Sequence, residues 1–181
     1  MYPDIDVRIS TSSGLVDFAR DEIDIAVRYG HGDWPGLRAD RMFGSPLFPV
    51  CGPALRDGDP PLREPADLRH HTLLHHDLGE AWEHWLKVAG VNCVDAARGP
   101  RFDDCNLMLQ AASEGQGVAL TFSALVAPDM AAGKLVTLFD VGVPAASWYY
   151  VVYPQARARQ PKIVAFRDWL LDEAVSAAKA A

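Results

Sequence analysis

Residues 101–122, RFDDCNLMLQAASEGQGVALTF, change hydrophobic period twice within one short stretch, and that double change limits the folds open to the chain. A strand is expected to end near Phe102, because the alternation stops there and the polar pair Asp103 and Asp104 follows. Either acid can cap a helix over 106–113, where the apolar residues take helical spacing. Gly115 and Gly117 then turn the chain into a second strand, VALTF. Strand, helix and strand in such close order form the crossover of a parallel sheet. A similar order is expected at the N-terminal end. IDVRIS (5–10) sets Ile5, Val7 and Ile9 against Asp6, Arg8 and Ser10; Ser12 or Ser13 can cap a helix carrying Leu15, Phe18, Ala19 and Ile23; and IDIAVRYG returns as a strand. Two such α/β units predict a two-lobed binder with its ligand in a cleft.

Between and beyond these units the pattern is mixed. GHGDWPGLRADRM reads as loop, and SPLFPVCGPAL as an extended segment that proline keeps from being helical. DGDPPLREPADLR is the most linker-like stretch, with a short helix at Pro65 to Leu68 and a strand at HTLLHH after it. Trp82, Trp85, Leu86 and Ala89 predict an amphipathic helix ended by Gly90. LVAPDMAAGKLVTLF adds a short helix and a strand, and SWYYVVYP is a strand rich in aromatic and β-branched residues. The C-terminal stretch from Pro161 is a helix with Ile163, Phe166, Leu170 and Ala174 on one face.

Chemistry-bearing residues are present but do not assemble into a catalytic set. In HHTLLHH, a helix would bring His71 and His75 together for zinc, with Asp77 and His84 nearby, but the strand reading puts leucine between the histidines. Asp103 and Asp104 are better placed to cap a helix than to act as acid and base. Cys105 has no base marked beside it. No GxGxxG or phosphate-binding loop is present, so no cofactor or metal is expected. A net charge of -7 argues against these residues gripping a phosphate backbone, so any DNA contact comes from elsewhere. Cys51, Cys93 and Cys105 lack metal or disulfide spacing, and the opening MYPDIDVRIS lacks a secretion signal; a cytoplasmic location is expected. The chain opens directly on a strand-like segment, as a fragment would.

The combination of YPDIDVRISTSSGLVDFARDEIDIAVRYGHGDWPGL, FPVCGPAL, DLRHHTLLHHD and FDDCNLMLQAASEGQGVAL resembles the effector-binding domain of LysR-type transcriptional regulators. Within the family it is most similar to the subgroup of the glycine-cleavage activator and the chromosomal β-lactamase inducer. The resemblance implies an α/β, two-lobed type 2 periplasmic-binding-protein-like fold over residues 1–181, its first lobe lacking the family's first strand and helix. Lobe I would comprise 1–48 plus 156–181 and lobe II 53–154, with crossing segments near Leu47 to Gly52 and close to Trp169. The N-terminal winged helix-turn-helix and linker helix would be absent.

The same resemblance implies a non-enzymatic sensor that binds a small effector between the lobes and acts on promoter DNA through the absent domain. The full-length regulator would be a homodimer or homotetramer, with no membrane partner. The implied effector contacts are Thr11 and Ser12 in the turn after the first strand, Asp104 and Cys105 at a helix start, Phe122 after the return strand, and Trp148 or Tyr149 in the late strand. With acids at both 103 and 104, an effector amine suits the site better than a carboxylate. A stand-alone solute-binding protein, a headless regulator paralogue and an enzyme on the same scaffold are the alternatives.

Overall fold

The computed structural model describes residues 5–12, 14–44, 46–76, 81–144 and 147–180, with side chains described as far as 176. The elements are, in order, β1 (Ala26–Gly30), β2 (Leu37–Phe43), β3 (Leu47–Cys51), α1 (Pro53–Arg56), β4 (Leu73–His76), α2 (Ala81–Val88), β5 (Arg101–Phe102), α3 (Cys105–Ser113), β6 (Val118–Phe122), α4 (Ser123–Ala131), β7 (Val136–Thr137), β8 (Trp148–Pro154) and α5 (Pro161–Ala180). Short 3-10 helices lie at Pro65–His70 and Gln155–Arg157. The chain divides into two compact units, one of residues 1–44 with 146–181 and one of residues 45–145.

In the second unit the strands lie in the order β5-β4-β6-β3-β7. β4 runs parallel to both β5 and β6, so the expected crossover from β5 through α3 to β6 passes over β4. β3 is antiparallel to β6 and β7. Alternation along the strands builds a core on each face of this sheet. Val118 and Leu120 share a cluster with Trp82, Trp85 and Leu86 of α2. Ala119, Leu74 and Val50 pack with Met108 and Ala112 of α3 and Val126 of α4. Both α2 tryptophans are buried and keep their indole N–H groups paired, Trp82 with the Leu74 carbonyl at 3.0 Å and Trp85 with the Val141 carbonyl at 2.9 Å. Gly99 enters β5 at φ +139°, with its α-carbon so close to the Leu73 carbonyl that a side chain would collide with it.

The first unit departs from the sequence expectation. Its sheet is β1-β8-β2, antiparallel throughout, with Tyr29 opposite Tyr149 and Asp40 opposite Val151. α5 covers one face, burying Ile163 against Val151 and Tyr153. The Tyr153 hydroxyl donates to Asp40 and accepts from Arg167, which ties β8, β2 and α5 together. The loop reading of 30–42 missed β2, because LRADRMF has little alternation and its pairing is supplied by β8.

Two expected elements near the N-terminus do not form. Residues 5–10 are not a strand: Val7 and Ile9 are 50 % and 86 % exposed, and period-2 alternation makes no strand without a ladder partner. Residues 15–23 hold a short turn at 18–20 rather than a helix, and Leu15 is exposed. Side-chain bonds to the backbone explain this. The Asp17 carboxylate accepts from the Ala19 N–H and that of Asp21 from the Asp17 N–H, each at 2.9 Å, while Arg28 donates to the Val16 carbonyl. Such bonds compete directly with helical ones. Without these elements the first unit shows no parallel crossover among the described residues.

The expected lobe limits also shift. β8 pairs with β1 and β2, so residues 148–154 belong with the first unit and not with 53–154. The chain leaves the first unit after 44 and re-enters it at 146; Trp169 lies inside α5 rather than at a crossing.

Candidate functional site

On the second unit, three of the expected contact residues sit where α3 and α4 begin, at the carboxyl ends of parallel strands. This edge is where open α/β sheets commonly hold ligands. Asp104 is the N-cap of α3, its Oδ1 accepting from the Asn106 N–H at 2.7 Å. The carboxylate is therefore committed to the positive end of the helix, and Asp103 beside it is exposed. Cys105 is half-buried against the Met108 and Val126 cluster. Burial, with Asp104 adding to it, pushes its thiol up to about 11, so it is protonated at neutral pH and no nucleophile. Phe122 is buried at the end of β6, immediately before α4.

A further residue of this edge escaped the sequence reading. Thr121 is 3 % exposed, and its Oγ1 is buried with no hydrogen-bond partner among the described residues. Its only sequence signal is a hydroxyl within the otherwise apolar VALTF.

On the first unit, Thr11 and Ser12 lie in an exposed, irregular segment, where the Ser12 hydroxyl accepts from the Gly14 N–H at 3.0 Å. Ser13 lies outside the described residues. Trp148 and Tyr149 point to opposite faces of β8. The Trp148 ring lies on Gly44, whose missing side chain makes the contact possible, and is met by the Arg41 guanidinium. Tyr149 is flanked by Tyr29 and Phe43, with ring centroids 5.1 Å and 4.9 Å away. Of the two residues, Trp148 is the one held by backbone packing, while Tyr149 belongs to a half-buried aromatic row.

The histidines are dispersed. His75 is buried, with Nε2 at 3.1 Å from the Arg98 carbonyl, and burial pushes the His71 ring below its ordinary pKa. Asp77 lies outside the described residues, and among those described no three His, Cys, Asp or Glu side chains cluster as metal ligands. A shallow depression of about 400 Å³ at the end of α2, lined by Leu86, Val91, Val94 and Ala96, contains none of the expected contact residues. No helix among the described residues is long and apolar enough to cross a membrane.

Two α/β units with these strand orders invite comparison with known proteins. Residues 1–175 match the LysR substrate binding domain. The chain belongs to that family. The glycine cleavage system transcriptional activator of Escherichia coli K12 is 39 % identical over 175 residues, which are 97 % of this chain and 57 % of that protein. The HTH-type transcriptional activator AmpR of Pseudomonas aeruginosa is 36 % identical over 179 residues, 98 % of this chain and 59 % of that protein. The chain thus spans a little over half the length of these relatives. The solved effector domain of Pseudomonas aeruginosa AmpR superimposes with a TM-score of 0.83 at 35 % identity, covering 98 % of this chain and 84 % of that one. The Citrobacter freundii AmpR effector binding domain also gives 0.83, at 27 % identity. The fold is accordingly that of LysR effector-binding domains, periplasmic-binding-protein-like, and these relatives are regulators rather than enzymes.

Proposed function

We propose that this chain is the ligand-sensing part of a cytoplasmic, oligomeric LysR-type regulator that contacts promoter DNA through a separate domain. The observation that carries the reading is the match of residues 1–175 to the family, supported by superposition on an AmpR effector domain. The net charge of -7 assigns phosphate contacts to other parts of the regulator. On the second unit the effector is held at the start of α3 and α4, by Asp104, Cys105 and Phe122. On the first, Tyr149 in its aromatic row is the stronger candidate and Trp148 the weaker, with Thr11 and Ser12 supplying hydroxyls. Binding then shifts the population of regulator conformations, as far as the effector distinguishes between them.

A thermal-shift screen of amino acids, amines, organic acids and nucleobases against the purified chain tests this. A ligand specific for the folded state raises the melting temperature in a saturable way, by about 2.7 kcal/mol of stabilisation at a hundredfold excess over Kd. The ligand is expected to be recovered chemically unchanged after prolonged incubation. Conversion of the ligand would show an enzyme instead. Absence of any saturable ligand across the four classes would count against a sensor.

A further inference from the structure

We propose that the depression at the end of α2 is a second small-molecule site, for an α-amino acid with an apolar side chain. It contains none of the expected effector contacts and stands independently of the sensor reading.

The hollow is built by the way α2 stops. Gly90 takes φ +71°, its N–H donates to the Lys87 carbonyl at 3.2 Å, and the Val91 N–H donates to the Leu86 carbonyl at 2.9 Å. That pair of bonds is a Schellman ending, which folds the chain back over the last turn and commonly sets apolar residues at these two positions side by side. Here they are Leu86 and Val91, and both line the hollow, with Val94 and Ala96 from the loop that follows. Leu86 is buried in the core, and Val91, Val94 and Ala96 pack against the same cluster, so the apolar floor is held from beneath. Gly90 adds no side chain to the space, and a Cβ there would meet nothing within 4 Å. What remains is about 400 Å³ open to solvent, within the size range of small-molecule sites.

Charge at the rim selects the ligand. Glu83 and Lys87 lie four residues apart on one face of α2, and both border the hollow. Glutamate before lysine at this spacing is the favourable order for an ion pair, yet neither forms one among the described residues. A carboxylate and an ammonium held apart above an apolar floor match a zwitterion. The ligand ammonium meets Glu83, its carboxylate meets Lys87, and its side chain covers Leu86, Val91 and Val94. A ligand carrying one charge is repelled by one of the two rim groups, and glycine leaves the floor uncovered.

Cys93 supplies the reporter. It is exposed and lies between the lining residues Asn92 and Val94, while Cys51 is buried and Cys105 half-buried. A trifluoromethyl tag on Cys93 of the purified chain reads binding at this hollow by fluorine NMR during titration with L-leucine, 4-methylpentanoate, isoamylamine and glycine. L-leucine is expected to shift the tag saturably. The acid and the amine should bind about two- to fivefold more weakly, the scale of one exposed ion pair, and glycine about tenfold or more weakly for want of a side chain to bury. Glu83→Gln should remove the advantage of leucine over 4-methylpentanoate, and Lys87→Gln its advantage over isoamylamine. Both positions are exposed and glutamine is a good helix former, so the variants are expected to stay folded. No shift of the tag by leucine, binding of glycine as tight as that of leucine, or a preference for leucine that neither variant changes would each overturn this site. The sensor reading would still be decided by the melting-temperature screen.

Discussion

Replacing Thr121 by Val is expected to stabilise the ligand-free protein, the reverse of what most buried substitutions do. The hydroxyl oxygen is buried without a partner among the described residues, and the side chain is 3 % exposed. Enclosing such a group costs about 1–3 kcal/mol relative to leaving it in water. Valine has nearly the same shape and no polar atom, so it removes that cost without opening a cavity. The valine methyl is bulkier than the hydroxyl it replaces on an enclosed strand position, which offsets part of the gain. A net gain of about 1–2 kcal/mol corresponds to a rise of roughly 2–8 °C in melting temperature for a chain of this size. Scanning calorimetry of the two proteins without ligand measures it. A fall in melting temperature of the variant would show that the hydroxyl is paired in the native state.

Other substitutions probe the scaffold and its titration. Gly99→Ala should destabilise by more than about 2 kcal/mol, since it combines a left-handed φ with a collision on the Leu73 carbonyl, and an unchanged urea midpoint would refute that packing. His71 favours its neutral form in the folded protein through burial, with Asp67 and the Pro60 carbonyl opposing the shift and His70 reinforcing it. Its folded pKa lies below the unfolded value near 6.5, so its contribution is full above that pH and is lost as pH falls through the folded pKa. Thermal melts from pH 7.5 to 5 should therefore show a decline that His71→Gln shrinks; equal slopes would refute it. In a thiol-labelling time course of the native protein, exposed Cys93 should react first, while Cys51 and Cys105, each pushed up to about 11 by burial, should react only slowly. Rapid labelling of Cys105 would show that its cluster opens readily.

The second unit was legible in the sequence because its elements carry their own signals. A short apolar run after the Gly115 and Gly117 turn marked β6, Asp104 capped α3, Gly115 closed it at φ +78°, and two tryptophans at helical spacing chose the buried face of α2. Local propensity and tertiary demand agree there. They disagree at residues 5–23. The alternation of Ile5, Val7 and Ile9 and the helical spacing of Leu15 and Phe18 are real, yet both describe what a segment does when something lies against it. In the described structure Asp17, Asp21 and Arg28 bind that backbone instead.

The sequence alone determined the fold class, the strands of residues 73–76 and 118–122, the helices α2 and α3, the helix from Pro161 and the acidic cap at Asp104, because these depend on period, capping and glycine positions; it missed the short α1 at Pro53–Arg56, which was read as extended. Only the tertiary structure decided that β8 belongs with β1 and β2, that Trp148 rests on Gly44 while Tyr149 joins an aromatic row, and that Thr121 is enclosed without a partner among the described residues. Those facts depend on which strand pairs with which and on what lies above each face. Pairing of strands distant in the chain leaves no periodic trace in either one.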